Sequence, residues 1–262
     1  MSRLIHEELS YLVRGVLFDV YNQLGPRLSE KIYQQAVTHG LKERGIILKS
    51  EKQFEVIYRE MSAGTFYVDL WLEGGKMLLE LKVAPYIMPI HQAQTISYLK
   101  LTDADLAIIA NFGTDSLQDK RLPNFIRDKS VDFQWQPKKR TENTLFPTLL
   151  DNLFEALHQV HFTLGPGFIH RVYRQAVMIE LRYQGIDYEH IRKLQFYYNN
   201  YCVGVEKVQV IQVENKILLG IFALESMDKI MGMVMKARMR HLGMSVGMLA
   251  NFYGERLVVE TV

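Results

Sequence analysis

The sequence lacks most of the features that would place it in a special class of protein. It has one cysteine and a formal net charge of only +2 over 262 residues, and it has no run of about 18 apolar residues. A single cysteine cannot form an internal disulfide, so a secreted, disulfide-stabilised fold is not indicated. The opening residues, MSRLIHEELS, contain no apolar signal core. These absences favour a cytoplasmic protein with no membrane association.

The remaining composition is that of an ordinary globular chain. Hydrophobic residues make up 48% and charged residues 23%, which is enough apolar material for one large core or two modest ones. Because the net charge is close to zero, no basic field covers the whole molecule. Any binding of nucleic acid must therefore depend on positive charge gathered locally.

The chain repeats itself at a constant offset of 140 positions. LGPRLSEKIYQQAV begins at Leu24, LGPGFIHRVYRQAV begins at Leu164, and the tripeptide Ala-Asn-Phe at 110–112 recurs at 250–252. A period this long, present twice, indicates a duplicated domain rather than a solenoid, whose units are about 20–50 residues. We predict domains at 1–136 and 141–262, joined by the polar, proline-containing segment QPKKRT.

Hydrophobic periodicity predicts the same element order, α-α-β-β-β-α-β, in both copies. We therefore expect two tandem α/β domains, each a mixed central sheet flanked by helices. In the first copy the predicted elements are helices 5–24 and 30–44, strands 54–58, 66–72 and 76–83, helix 90–101 and strand 105–112. In the second copy they are 149–164, 169–183, 194–199, 206–212, 216–223, 227–241 and 244–252.

Three polar residues of the first copy stand out on two neighbouring strands. Asp69 lies on one strand, and Glu80 and Lys82 lie on the next, across a turn at Gly74-Gly75. Because strand side chains alternate, Glu80 and Lys82 share a face. Two carboxylates suit a divalent cation such as Mg²⁺ or Mn²⁺, and an adjacent ammonium can orient water and offset phosphate charge. A solvated strand face is the alternative, which the apolar neighbours of this pair disfavour.

Three further residues join this candidate site. Glu30 begins the second helix, where it could instead complement the helix dipole. Gln94 and Tyr98 lie four residues apart and so share one face of the helix after the strands. The neighbouring His91 is interpreted as a structural or surface histidine.

An Asp, a following Glu-x-Lys strand and a helix carrying Gln-x-x-x-Tyr resemble the PD-(D/E)xK, or restriction-endonuclease-like, nuclease superfamily. With LGPRLSEKIY and ANF, the first copy is similar to its bacterial GxxExxY branch over residues 5–125. The resemblance implies that Asp69, Glu80 and Glu30 hold Mg²⁺ or Mn²⁺ and that Lys82 is the catalytic lysine. Gln94 and Tyr98 would support the site or contact the phosphate. Arg27 stands where the signature has glycine.

All six candidate residues are replaced in the second copy. Framework residues are kept, so the repeat separates positions that serve the fold from positions that serve chemistry. The replacements are Glu30 by His170, Asp69 by Gln209, Glu80 by Gly220, Lys82 by Phe222, Gln94 by Val234 and Tyr98 by Arg238.

The sequence thus predicts a metal-dependent endo- or exonuclease that hydrolyses phosphodiesters, with DNA the expected substrate. The first copy would be active, and the second would be a pseudo-nuclease paired with it as an intramolecular pseudo-dimer. A further homo-oligomer is left open. The alternative is a non-catalytic scaffold that binds nucleic acid or protein and keeps the nuclease fold.

Overall fold

Each copy of the repeat forms a five-stranded mixed sheet with helices packed against it. The structure, a computed structural model, describes residues 5–125, 132–137 and 144–262. The chain divides into a first unit, Met1–Val56 with Thr65–Asp132, and a second unit, Ile57–Gly64 with Phe133–Val262. Most of the predicted linker lies outside the described residues, so the boundary between domains 1–136 and 141–262 stays a prediction.

The observed elements follow the predicted order in both copies. In the first copy they are α1 (Glu7–Leu24), α2 (Glu30–Glu43), β1 (Leu48–Tyr58), β2 (Met61–Leu72), β3 (Met77–Lys82), α3 (Pro89–Thr102), β4 (Leu106–Asn111) and β5 (Gln118–Pro123). In the second they are α4 (Pro147–Leu164), α5 (His170–Tyr183), β6 (Tyr188–Tyr198), β7 (Tyr201–Val213), β8 (Ile217–Phe222), α6 (Lys229–Leu242), β9 (Val246–Asn251) and β10 (Val258–Thr261).

The two sheets have the same strand order, which confirms the predicted tandem α/β architecture. The first runs β1-β2-β3-β4-β5 and the second β10-β9-β8-β7-β6. Strands β3 and β4 are parallel, as are β8 and β9, whereas β4 and β5 pair antiparallel. The prediction omitted β5 and β10. Strand β5 reads QDKRLP and carries no apolar alternation, because it is a solvated edge strand that ends at a proline.

The repeated tyrosine and phenylalanine fix the turn that precedes the second helix of each copy. The Tyr33 hydroxyl donates to the Gly25 carbonyl at 2.6 Å, and its ring stacks on Phe112 with centroids 4.1 Å apart. Tyr173 does the same with the Gly165 carbonyl and Phe252, at 2.8 Å and 4.6 Å. These signature residues therefore serve the fold.

The glycine of the signature also has a backbone role. Gly167 has φ of 112°, and Arg27, at the equivalent position of the first copy, has φ of 67°. Glycine adopts this left-handed region without cost, whereas a residue with a Cβ atom does not. Arg27 is held there by its N–H bond to the Phe112 carbonyl at 2.9 Å and by its ion pair with Asp115 at 3.2 Å.

The repeated asparagine ties the ends of the two parallel strands together. Asn111 is fully buried. Its Oδ1 accepts from the backbone N–H of Ala84 at 2.9 Å and of Gly113 at 3.1 Å, and its Nδ2 donates to the Ala84 carbonyl at 2.9 Å. Asn251 makes the same bonds to Leu224 in the second copy, at 3.0 Å and 2.7 Å.

The main core of the first unit decides which way the candidate residues point. Leu79 and Leu81 of β3 belong to the buried cluster that α1 and α2 cover. Because strand side chains alternate, Glu80 and Lys82 point to the opposite face. No helix among the described residues combines the length and apolar character needed to cross a bilayer.

Candidate active site

Strands β2 and β3 bring Asp69, Glu80 and Lys82 together, as the sequence predicts. Leu70 pairs with Leu79 in an antiparallel register. Asp69, just before Leu70, and Glu80, just after Leu79, are therefore neighbours across the two strands. Asp69 Oδ2 accepts from the Leu81 backbone N–H at 2.8 Å, and Lys82 Nζ lies 3.3 Å from Glu80 Oε2. The three charged groups therefore form one cluster on one face of the sheet.

Glu80 is the buried centre of this cluster. Its exposed fraction is 2%, and its Oε1 has no hydrogen-bond partner among the described residues. Burial, and then the nearby Asp69 carboxylate, raise the pKa of Glu80 to about 8, although Lys82 opposes the shift. A buried carboxylate oxygen with no partner is costly, and a bound cation would offset that cost.

The pKa values of Asp69 and Lys82 also depend on this arrangement. Burial raises the pKa of Asp69, although the Leu81 N–H and the Lys82 ammonium oppose the shift. Burial disfavours the ammonium of Lys82, but the carboxylates of Glu80, Asp69 and Glu30 outweigh it and raise the pKa of Lys82. Lys82 is therefore a protonated cation in the metal-free protein.

Glu30 lies at the edge of the cluster. It is the first residue of α2, it is exposed, and its Oε1 accepts from the Val83 backbone N–H at 3.2 Å. Its charge affects the pKa of both Asp69 and Lys82. Within the described residues, no group of three His, Cys, Asp or Glu side chains is assembled to hold a metal ion. The assignment of Glu30 as a metal ligand stays a prediction.

Gln94 and Tyr98 share one face of α3, as predicted. Gln94 Nε2 donates to the Tyr98 hydroxyl at 2.8 Å. Burial, with the charge of Glu80, raises the pKa of the Tyr98 phenol, so the carboxylate lies close enough to affect it. Tyr98 is 5% exposed and its ring packs on Phe66 at 4.7 Å between centroids. Gln94 and Tyr98 thus place two uncharged polar side chains beside the carboxylates.

Gln34, beside the cluster, was missed by the sequence analysis. Its Nε2 donates to the backbone carbonyl of Asp69 at 3.2 Å. His91 has a structural contact, because its Nδ1 accepts from the Met88 backbone N–H at 3.3 Å, and burial, with the Lys82 charge, lowers its pKa. The repeat contains the signal for Gln34, because Arg174 stands at the equivalent position.

The second copy has filled the space that the Glu80 side chain needs. A Cβ atom at Gly220 would lie 2.8 Å from the Phe222 ring and 2.9 Å from the Met235 methyl. Phe222 stands where Lys82 does in the first copy, and Arg238, in place of Tyr98, pairs with Glu206 at 2.8 Å. The strand register differs by one residue between the copies, because Leu70 pairs with Leu79 whereas Ile211 pairs with Leu219. Val210, and not the predicted Gln209, therefore stands beside Gly220 as Asp69 stands beside Glu80. The second copy has no carboxylate at either of these two places.

The chemistry of the first cluster fits a hard divalent cation. Asp69 and Glu80 offer carboxylate oxygens, and Leu81 engages only one of the Asp69 oxygens. Glu80 Oε1 is a buried acceptor with no partner among the described residues. Mg²⁺ is held by one or two protein carboxylates and keeps several waters, so two carboxylates suffice.

Comparison with known proteins agrees with the fold of both copies. The sequence profile of the PD-(D/E)XK nuclease superfamily matches residues 7–122 and again residues 147–261. No curated protein matches the chain. Among solved structures, one described as "Crystal structure of SSO0001" is 11% identical with a TM-score of 0.29, covering 46% of this chain and 79% of that one. That likeness is too loose to carry an argument. The two profile matches span most of the sequence, and the chain belongs to the PD-(D/E)XK nuclease superfamily.

Proposed function

We propose that the first unit is a divalent-metal-dependent nuclease that hydrolyses phosphodiester bonds, with DNA as its substrate and Mg²⁺ or Mn²⁺ as its cofactor. The observation that supports it most is the buried Oε1 of Glu80 beside Asp69 and Lys82, for which the described part of the chain offers no hydrogen-bond partner. A cytoplasmic location and an intramolecular pseudo-dimer remain predictions.

The residues of the cluster would have different roles in such a reaction. Asp69 and Glu80 would hold the metal, which supplies positive charge to the phosphate and lowers the pKa of water. Lys82 orients the attacking water and, as a cation, offsets the charge that develops on the phosphate. Leu81 keeps the Asp69 carboxylate in place through its N–H. Tyr98, held neutral by its raised pKa, offers a hydrogen bond without adding charge.

Replacing Lys82 by alanine tests this proposal directly. Cleavage of single-stranded, duplex and branched DNA with Mg²⁺ or Mn²⁺ is expected to fall at least about a hundredfold, because positioned general acid–base groups contribute about 10²–10⁴-fold. Lys76→Ala removes an exposed lysine of the same unit and is the matched control. Equal cleavage by the parent, Lys82→Ala and Lys76→Ala proteins would show that the activity does not arise at this site.

The loss of the second site leads to a prediction about products. One intact site per chain is expected to cut one strand at each encounter, so supercoiled plasmid is converted to open circles before any linear DNA forms. Gel electrophoresis of a time course distinguishes the three forms. Linear plasmid formed early, with first-order dependence on protein concentration, would contradict a single active site.

One observation favours the alternative of a non-catalytic binding scaffold. The second copy retains the fold with all six site residues replaced, so the fold does not depend on the chemistry. Calorimetric titration with Mn²⁺ separates the two functions. Binding that Asp69→Asn abolishes supports the nuclease, and no binding by the parent protein supports the scaffold.

A further inference from the structure

A pocket of the second unit is lined by arginines. It lies between α5 and the strands β6 and β7, and its volume is about 490 Å³. Arg171, Arg174 and Arg182 reach it from α5, and Arg192 reaches it from β6. Gln209 also lines it, and its Oε1 accepts from His190 Nε2 at 3.1 Å. The pocket lies on the face of the sheet that α5 covers, whereas Gly220 lies on the other face, against Met235 of α6.

The first copy has a depression at the same place, and its lining is nearly neutral. Gln34, Gln35, Thr38, His39, Lys42 and Ser50 line that depression. Three of the four arginines that line the pocket of the second copy are lysines at the equivalent positions of the first, and the fourth is a glutamine. The pairs are Arg171 and Lys31, Arg182 and Lys42, Arg192 and Lys52, and Arg174 and Gln34.

Arg174 is the most constrained of these cations. It is 7% exposed, and no carboxylate among the described residues pairs with it. Burial, with Arg171 and Arg192, lowers the pKa of its guanidinium, and burial, with Arg174 and Arg192, lowers the pKa of His190. Burying an unpaired charge is costly. Like charges gathered around it add to that cost, and an anion in the pocket would offset both.

The chemistry of the lining points to one class of anion. Each lysine at these positions of the first copy is an arginine in the second, and arginine offers a planar set of donors that matches phosphate oxygens in pairs. The pocket retains no acid that could serve as a metal ligand. Its lining is thus suited to hold a phosphate and not to cleave it.

We propose that this pocket of the second unit binds phosphate groups, and that their source is the backbone of a nucleic acid strand. Four guanidinium groups carry more positive charge than one phosphodiester can neutralise. They therefore suit several successive phosphates of a strand. A free phosphate or pyrophosphate has the same chemistry and is the other source to test. The inference rests on the pocket alone, because phosphate binding requires no cleavage by the first unit.

The test measures binding in EDTA, where metal-dependent cleavage cannot occur. A fluorescent oligonucleotide is titrated with the parent, Arg174→Gln, Arg192→Gln and Arg256→Gln proteins. Glutamine is the residue that the first copy carries at the position of Arg174, so this variant is expected to fold. Arg192 and Arg256 are exposed, and Arg256 does not line the pocket, so Arg256→Gln controls for the loss of one charge.

We expect Arg174→Gln and Arg192→Gln each to weaken DNA binding about tenfold, since each removes a charge-assisted hydrogen bond to a phosphate. The slope of log affinity against log salt should fall by about one for each lost contact. If DNA binding is unchanged but pyrophosphate raises the melting temperature of the parent and not of Arg174→Gln, the ligand is a free phosphate compound. If neither probe distinguishes these variants from Arg256→Gln, the proposal is wrong.

Discussion

Replacing Glu80 by glutamine is expected to abolish metal-dependent cleavage and, at the same time, to make the metal-free protein more stable above pH 8. Glutamine keeps the shape of the protonated carboxyl but cannot carry its negative charge. Without that charge the cation loses one of its two carboxylate ligands, and we expect cleavage to fall more than about a thousandfold, in the upper part of the range for a lost general acid or base. A gain of stability with a loss of activity marks a site that is strained to serve function.

The raised pKa of Glu80 determines whether the free energy of unfolding increases or decreases with pH. In the metal-free fold the pKa of Glu80 is about 8, above its ordinary value of 4.5. Between these values the folded state binds more protons than the unfolded state, so the free energy of unfolding decreases as pH rises. Above pH 8 the parent contains a buried, ionised carboxylate and has lost this contribution. Glu80→Gln does not ionise and should therefore be more stable there by about 1–4 kcal/mol.

Denaturant unfolding in EDTA at pH 5, 7 and 9 measures this difference, and Glu55→Gln, an exposed acid of the neighbouring strand β1, is the control. Calorimetry with Mn²⁺ completes the test, because a ligand must be deprotonated to bind metal. We expect the affinity of the parent to rise with pH up to about pH 8. A Glu80→Gln protein that cleaves DNA, or one that unfolds more easily than the parent at pH 9, would contradict the role given to this carboxylate.

Replacing Asn111 by alanine is expected to destabilise the first unit by about 3–4 kcal/mol. The change leaves the backbone N–H and carbonyl of Ala84 and the N–H of Gly113 without their partner. A buried polar group left unpaired costs about 1–3 kcal/mol. Water cannot readily enter to replace the amide, because a Cβ atom at Gly113 would already overlap the backbone of Ala84.

The second copy offers a matched experiment. Asn251→Ala removes the same bonds to Leu224 and should destabilise the second unit by a similar amount. Trp71 lies in the first unit and Trp135 in the second, so single-tryptophan variants allow the two unfolding transitions to be followed separately. Asn22→Ala, at an exposed position of α1, should change stability by less than about 1 kcal/mol. Equal stability of Asn111→Ala and Asn22→Ala would show that this amide does not hold the strands.

The sequence predicted the features that depend on a local pattern or on the repeat. Helical spacing, strand alternation and the constant offset were sufficient for the element order, for the duplication and for the proximity of Asp69 and Glu80. The polar edge strand β5 was missed, since it buries no face and leaves no alternation. Gln34 was missed because nothing local links a helix residue to the backbone of a strand. Its replacement by Arg174 at the equivalent position was the available signal.

The arginine pocket shows a different limit of sequence reasoning. Its cations come from one helix and one strand, and in the sequence they resemble an ordinary solvated face. Only the fold shows that Arg174 is buried while Arg171, Arg182 and Arg192 converge on the same space. Charge patterns along a chain predict exposure well, but they do not predict which side chains meet across elements.

The packing around Gly220 bears on how this duplicated protein can evolve. Restoring glutamate at that position would drive its Cβ atom into the Phe222 ring and the Met235 methyl. Phe222 and Met235 must therefore shift or be replaced before a longer side chain fits at this position. Recovery of a carboxylate here depends on more than one change, whereas its loss needed only one substitution at Gly220. The loss of this site is easier to make than to undo.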